Sequence, residues 1–400
     1  MASHFPQRQV SSLYEKSLRR NRLRRILLEK LDRRELLAAD VGAGIFAGGT
    51  SQEYIDAFDW ALAGGGNDNG GGSGSGDFNV GATRWSNPVG GPSLNNGDPA
   101  EITWSIVPDG TTDTANNSST NLVAFMDGIY GGGSGPVEQR PWFNIFERAY
   151  DRWSEVSGIT FVYEPFDDGA PMGQGNRGVE GVRGDVRIGG RPIDGNFGVL
   201  AFNYFPNGGG NAGFDGDMII DTNDAWYLQN ADSATGENRG LFNVLMHEAG
   251  HGVGLGHSIP LDSTKLMEPA VTFAFLGAQH DDILGTHQLY GDNAEPNDTV
   301  AQAVDLGQLS NGRQTISGNS IDRPGDDDWY QFSAPSSGRI SLTLEPIGFT
   351  YEIGNQFGTT ATVNTLVTQD LSLELISGGS VIAQASATNA GENEEIIDFD

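Results

Sequence analysis

The 400-residue chain contains no cysteine, so neither disulfide bonds nor thiolate ligands can stabilise its fold. Long apolar runs are also missing. No stretch approaches the roughly 18 consecutive apolar residues that a transmembrane helix needs, which argues against a membrane-spanning segment of that kind. Histidine is scarce, with six residues in the whole chain. Any cluster of histidines is therefore informative.

Positive charge is rare and unevenly distributed. The chain has 23 Lys and Arg against 53 Asp and Glu, a net charge of −30. Residues 1–40 carry a net charge of +5, and the remainder carries 13 basic and 48 acidic residues, a net charge of −35. A body this acidic argues against nucleic-acid binding by counterion release. It suits a calcium-containing exterior, since carboxylates are the ligands that calcium prefers.

Residues 247–257, HEAGHGVGLGH, form the most informative motif. His247 and His251 are four residues apart, so that on a helix their imidazoles lie on one face and can share a metal ion. Gly254 can adopt a backbone conformation closed to other residues, which allows the helix to end and the chain to turn back. His257 then supplies a third nitrogen ligand.

Three protein ligands leave one position of a tetrahedral zinc ion open, which is typical of a catalytic zinc site. Glu248 lies beside the ligands and is suited to act on a zinc-bound water. Met267 follows ten residues after His257 and is a candidate for a Met-turn. The alternative is a helix with two ordinary histidines. The full motif uses three of the six histidines, which favours zinc.

Apolar periodicity predicts an α+β fold, in which helices pack on a mixed sheet. The predicted strands are 102–109, 158–165, 184–190, 198–206 and 214–221. The predicted helices are 141–156, a metal-binding helix that begins near Leu241, and a final helix over 280–291 capped by Asp281 or Asp282. Phe143, Phe146, Tyr150 and Trp153 mark the buried face of the first of these helices.

The composition divides the chain into four parts. Residues 1–40 are basic and amphipathic, typical either of a membrane-surface helix or of an export signal. Within them, LEKLDRRELLAAD (28–40) resembles an N-terminal motif of large exported bacterial surface proteins. Residues 41–97 are rich in Gly, Asn and Ser, which predicts a linker or a pro-segment. A compact domain is expected over 98–292, and alternating strands over 293–400 predict an all-β sandwich.

The matrixins are a branch of the metzincin zinc peptidases, and their sequences contain a zinc motif, a Met-turn and a last helix in that order. This chain resembles them in the same order, with HEAGHGVGLGHS, KLMEP and DDILGTHQLYG. The resemblance covers about 98–292. It implies a mixed five-stranded sheet, three helices and hydrolysis of peptide bonds with Glu248 as general base. It also implies that substrate lies extended along an edge strand over 198–205, at Leu200 and Ala201, and that Pro269 helps wall the specificity pocket.

Departures from the matrixin pattern modify this expectation. Phe202 and Gly213 stand where matrixins have histidines of a second, structural zinc, so one zinc is expected. No cysteine is present to act as a propeptide latch. Asp194 and Asp215 match calcium ligands of the family, whereas Met218 replaces a third carboxylate; calcium binding and solvated turn aspartates remain open alternatives.

The tail resembles the bacterial pre-peptidase C-terminal domain through EPNDT (295–299), GDDDWYQF (325–332) and GRISLTL (338–344). Its end at Asp400 leads us to expect a longer parent protein. Together these features predict an exported bacterial zinc endopeptidase that acts on proteins or peptides outside the cell or at its surface. The alternative is a non-catalytic cell-surface adhesin that uses the metzincin fold as a scaffold.

Overall fold

The computed structural model describes residues 42–47, 80, 83–93, 95–206, 213–228, 238–309, 312–323, 325–334, 338–356, 358–386 and 388–399. The predicted helix in the first 40 residues and the Gly-rich tract 63–77 lie outside the described residues. Up to residue 291, the described elements are β1 Gly42–Phe46, β2 Ala100–Ile106, β3 Thr112–Asp113, β4 Ser118–Ser119, α1 Leu122–Tyr130, a 3-10 helix Val137–Gln139, α2 Phe143–Glu155, β5 Ile159–Tyr163, β6 Val186–Arg191, β7 Val199–Tyr204, β8 Met218–Asp221, α3 Arg239–Gly252, β9 Ser258–Ile259 and α4 His280–Tyr290.

The central sheet has six strands in the order β1-β7-β8-β6-β2-β5. Strands β2, β5, β6 and β8 run parallel, while β7 is antiparallel to both β8 and β1. The expectation of five strands was wrong for the described sheet, because residues 42–46 of the predicted linker add a sixth. Strand β7, expected at the edge, therefore lies between β1 and β8.

Four α-helices are present in the described residues, where three were expected. The additional helix is α1, LVAFMDGIY, which has no acidic residue in its first turn and whose N-cap residue, Asn121, makes no side-chain capping hydrogen bond. Helix α2 packs its aromatic face on the sheet as predicted: Tyr150 stacks on Trp104 with ring centroids 4.6 Å apart. Full burial of such large side chains contributes about 1.5–3 kcal/mol each.

Helix α4 begins with a capping box. Asp282 accepts a hydrogen bond from the backbone N–H of Gln279 at 2.8 Å, and the side chain of Gln279 caps in return. The N-cap residue is therefore Gln279, and Asp282 contributes from inside the first turn, where a carboxylate also complements the helix dipole. Leu289 and Tyr290 are buried.

Beyond α4 the described elements are strands, apart from one short 3-10 helix over Thr365–Val367. They are β10 Val304–Gln308, β11 Tyr330–Ser333, β12 Ile340–Leu344, β13 Thr350–Asn355, β14 Ala361–Asn364, β15 Leu373–Ser377, β16 Ser380–Ala385 and β17 Glu394–Phe399. They form small sheets rather than one layer pair, so a sandwich stays a prediction. Strand β13 also pairs with β9, joining the C-terminal part to the metal-binding region.

Candidate metal centre

Helix α3 holds the first two histidines in a rigid, buried position. Its N-cap is Asn238, whose side chain accepts a hydrogen bond from the N–H of Leu241 at 3.0 Å. At its C-terminal end, Trp85 Nε1 donates to the carbonyl of Gly252 at 2.8 Å and the Tyr290 hydroxyl donates to that of Val253 at 2.9 Å. Buried partners thus satisfy carbonyls that a helix end leaves unpaired.

The turn after α3 brings in the third histidine. Gly254 has φ of +109°, and a Cβ there would lie 2.5 Å from the carbonyl oxygen of Thr83. Only glycine tolerates both the conformation and the close approach. The N–H of Leu255 then donates to Gly250 O at 2.9 Å, and the chain returns so that His257 faces the helix. The predicted role of Gly254 agrees with this geometry.

The three Nε2 atoms form a triangle. Their separations are 2.9 Å between His247 and His251, 3.1 Å between His251 and His257, and 3.2 Å between His247 and His257. Nitrogen ligands of a tetrahedral zinc ion lie about 3.3 Å apart, given bond lengths of about 2.0–2.1 Å. The spacing of the three nitrogens therefore fits one zinc ion.

Each imidazole places its other nitrogen against an oxygen. The Nδ1 atoms of His247, His251 and His257 lie 2.7 Å from Leu266 O, Leu255 O and Gln356 Oε1, respectively. Carbonyl oxygens accept hydrogen bonds, so each Nδ1 carries the proton and each Nε2 presents its lone pair. Burial, followed by the neighbouring imidazoles, lowers the pKa values of His247 and His251 well below the usual range. Neutral rings are what a metal ion requires.

Glu248 is completely buried next to the ligands. Its Oε1 accepts a hydrogen bond from the backbone N–H of Ile45 at 2.9 Å. A carboxylate in this position can hold a proton close to the open side of the metal centre.

Met267 lies against the central helix α3, on a turn that Asp282 fixes. The carboxylate of Asp282 accepts hydrogen bonds from the N–H groups of Leu266 at 2.8 Å and Met267 at 3.0 Å. A Cβ at Gly250 would lie 2.6 Å from Met267 Sδ, so the glycine of the motif makes room for the thioether. The sequence indicated the turn and its methionine but not the anchoring role of Asp282.

The residues predicted to bind substrate lie together around β1. Ala201 pairs with Ile45 across the sheet, Leu200 is fully buried, and Pro269 O accepts a hydrogen bond from the N–H of Phe46 at 3.0 Å. Their role in substrate binding stays a prediction.

The predicted calcium ligands Asp194 and Asp215 belong to no group of three ligand side chains in the described residues. Asp194 Oδ2 accepts a hydrogen bond from the N–H of Val199 at 3.2 Å. A different acidic group does come together: carboxylate oxygens of Glu295, Asp322 and Asp326 lie within 4.8 Å of one another. For Asp194 and Asp215, calcium stays a prediction.

Sequence comparisons agree with the geometry of the centre. Residues 134–291 match the Matrixin family, Peptidase_M10. That stretch is matrixin-like. The matched residues contain α2, the central helix α3 with its three histidines, the turn at Met267 and α4.

Individual proteins of similar sequence also support a matrixin-like domain. The chain is 32% identical over 154 residues to matrix metalloproteinase-16 of Homo sapiens, which is 36% of this chain and 23% of that protein. It is 33% identical over 158 residues to interstitial collagenase of Oryctolagus cuniculus, 39% of this chain and 30% of the relative. It is 27% identical over 164 residues to metalloendoproteinase 4-MMP of Arabidopsis thaliana, 39% of this chain and 41% of the relative. The chain thus spans less than half the length of these relatives.

The described residues include no helix that is both long and apolar enough to cross a membrane.

Proposed function

We propose that the matrixin-like domain is a zinc-dependent endopeptidase. The observation that carries the proposal is the triangle of Nε2 atoms, each on an imidazole whose Nδ1 is held by an oxygen, with the buried carboxylate of Glu248 beside it. This donor set is complete for a catalytic zinc ion, which has three protein ligands and one open position. The matrixin match over residues 134–291 supports the same conclusion.

His247, His251 and His257 would hold the zinc ion. When bound there, zinc supplies Lewis acidity that polarises the scissile carbonyl and favours ionisation of the attacking water. Glu248 takes a proton from that water and delivers it to the leaving amine nitrogen. Met267 provides the apolar floor that keeps the imidazoles in place.

The substrate lies extended between β7 and the segment after Met267. Main-chain groups of Leu200 and Ala201 on one side and of Pro269 on the other bind its backbone, because a strand added to a sheet gains affinity from such hydrogen bonds.

Several parts of the proposal rest on the sequence resemblances. Residues 1–40 act as an export segment, residues 41–97 as a linker or pro-segment, and residues 293–400 as a β-sandwich resembling the pre-peptidase C-terminal domain. The protein then works outside a bacterial cell or attached to its surface. We also propose, on the same resemblance, that Asp194 and Asp215 bind calcium. Neither the geometry nor the comparisons favours the alternative of a non-catalytic adhesin.

The Glu248→Gln substitution tests the mechanism. The amide keeps the shape of the carboxylate but cannot take a proton, so we expect casein hydrolysis to fall by about 10²–10⁴-fold while the zinc content stays near one ion per chain. Hydrolysis is measured with fluorescent casein, and zinc by elemental mass spectrometry. Glu147→Gln, at an exposed position of α2, is the matched control and should leave both values unchanged. Full activity of Glu248→Gln would refute the mechanism, whereas a zinc-loaded parent chain that cuts neither casein nor itself would favour the adhesin.

A further inference from the structure

The chain's own residues 42–47 lie in the channel just assigned to substrate. Strand β1 is antiparallel to β7, with Gly44 opposite Phe202 and Ile45 opposite Ala201. The N–H of Ala47 donates to Gly198 O at 2.8 Å. The segment thereby forms hydrogen bonds along one side of its backbone with the strand that the sequence predicted to receive substrate.

The other side of the segment is bound as well. The N–H of Phe46 donates to Pro269 O at 3.0 Å, and the N–H of Val271 donates to Phe46 O at 3.0 Å. Phe46 and Ala270 form a parallel bridge. An extended segment is therefore held between β7 and the residues that follow Met267, as a peptide in the channel would be.

The bond between Gly44 and Ile45 faces the catalytic carboxylate. The amide nitrogen of Ile45 lies 2.9 Å from Glu248 Oε1, which is the atom pair through which a leaving amine would receive its proton. The side chain of Ile45 is 1% exposed and belongs to the main hydrophobic core, whereas Phe46 is fully buried in the smaller core cluster. One apolar side chain thus fills the space next to the metal centre.

We propose that residues 42–47 are an internal substrate that covers the catalytic centre until the Gly44–Ile45 bond is hydrolysed. This inference rests on the proposed endopeptidase function. In the reaction the hydroxyl of one water molecule adds to the carbonyl carbon of Gly44, the C–N bond breaks, and the water's proton passes through Glu248 to the nitrogen of Ile45. The proton of the new carboxyl group then passes to the amine, so the products are a carboxylate at Gly44 and an ammonium group at Ile45.

Occupation of the channel by the segment also explains how the chain can be held inactive without cysteine. The segment competes with other substrates for the same hydrogen-bond donors and acceptors of β7 and Pro269. The fraction of molecules open to another substrate therefore falls as the equilibrium constant for closing rises, and the apparent affinity for that substrate falls with it.

The first experiment measures occupation of the channel without relying on catalysis. Full-length Glu248→Gln, which cannot cut itself, is loaded with zinc and followed by hydrogen–deuterium exchange. We expect slow exchange of residues 42–47, 198–204 and 269–271 together. Adding Ile45→Asp, which buries a charge in the core, should abolish protection of residues 42–47 and weaken it at the amides of 198–204 and 269–271 that face the segment. Amides of 198–204 that bond to β8 should stay protected. Adding Ile347→Asp at a position 69% exposed is the matched control and should leave protection intact in all three segments.

Rapid exchange of 42–47 in Glu248→Gln, or protection of 198–204 and 269–271 that Ile45→Asp leaves unchanged, would overturn the proposal. Neither outcome depends on peptidase activity.

The second experiment identifies the bond. Parent chain incubated with zinc should yield a fragment whose amino terminus is Ile45, detected by mass spectrometry, and Glu248→Gln should yield none. With Glu248 retained, Ile45→Asp should hydrolyse casein without a lag, at an initial rate at least about tenfold above that of the uncut parent chain.

The outcomes separate the two proposals. If the parent chain hydrolyses casein but its Gly44–Ile45 bond stays intact, the internal-substrate proposal is wrong and the endopeptidase proposal stands. If neither casein nor the chain itself is cut by the zinc-loaded protein, the endopeptidase proposal is wrong and the internal-substrate proposal falls with it.

Discussion

At the scale of single residues, the three imidazoles differ in what holds them. His247 and His251 donate to the main-chain carbonyls of Leu266 and Leu255, which no substitution removes. His257 instead donates to a side chain, Oε1 of Gln356, at 2.7 Å. Partners of this kind orient a metal-binding ring and raise its basicity. Gln356 is therefore the contact through which the third ligand can be altered selectively.

We predict that Gln356→Ala weakens zinc binding about 10- to 100-fold, the usual cost of losing such a partner. Zinc affinity is measured by competition with a chromophoric chelator. Gln356→Glu keeps an acceptor oxygen and should restore affinity close to that of the parent. Gln384→Ala removes an exposed glutamine that contacts Ser386 and serves as control. Equal zinc affinity of Gln356→Ala and Gln384→Ala would show that His257 does not need this acceptor.

At the scale of elements, the turn after α3 depends on one backbone conformation. Gly254→Ala forces a side chain into a positive φ, which costs about 1–2 kcal/mol, and brings it against Thr83 O. We expect the free energy of unfolding to fall by about 2 kcal/mol or more and zinc affinity to fall with it, because His257 moves. Urea denaturation and chelator competition measure the two effects.

Gly128→Ala is the matched control for this prediction. Gly128 lies inside α1, and a Cβ there would meet no atom within 4 Å. Alanine at such a position stabilises a helix by about 0.5–1 kcal/mol relative to glycine. If Gly254→Ala is as stable as Gly128→Ala and binds zinc as tightly, the turn does not require glycine.

The elements of the matrixin-like part could largely be predicted from their patterns. Strands β2, β5, β6, β7 and β8 and helices α2, α3 and α4 each lie within or close to a predicted range, because amphipathic periodicity and the histidine motif are local signals. Strand β1 could not be predicted. Its sequence GAGIF has neither alternation nor a turn signal, and its partners lie far away in the chain, Glu248 by 203 positions.

The same reasoning explains which site residues the sequence missed. The ligands, Glu248 and Met267 carry a spacing that identifies them. Ile45, Asp282 and Gln356 act through contacts that only the folded chain creates, from 15 to 203 positions away from their partners. No regular spacing links such residues, so pattern analysis cannot select them.

At the scale of the whole molecule, acidic side chains meet where the matrixin-like part joins the C-terminal strands. Burial, and then repulsion from neighbouring carboxylates, raises the pKa values of Glu295 to about 7, of Asp322 to about 8 and of Asp328 to about 7. Asp326 lies in the same group. Ionised together, these groups repel one another unless a cation is bound.

We therefore predict that the junction responds to pH and calcium together. The folded pKa values lie above the usual values, so the stabilising contribution of these protons is complete below about pH 4. It is lost as the pH rises to about 8, and the thermal midpoint should fall over that range in a chelator. Calcium should raise the midpoint strongly at pH 8 and weakly at pH 5, measured by calorimetry on the Glu248→Gln chain.

Asp326→Asn should reduce the calcium effect at pH 8, whereas Asp305→Asn at an exposed position should not. A midpoint that rises by the same amount at pH 5 and pH 8 would contradict a calcium site built from these carboxylates.

The pairing of β9 with β13, described above for the fold, also has a consequence for biosynthesis. His257 and the oxygen that holds its ring are 99 positions apart, and a ribosome adding about 5–20 residues per second needs roughly 5–20 s to make that stretch. During this interval the nascent chain contains all three ligands but not the acceptor of the third. The order of these residues in the chain therefore delays completion of the metal centre until translation has passed β13.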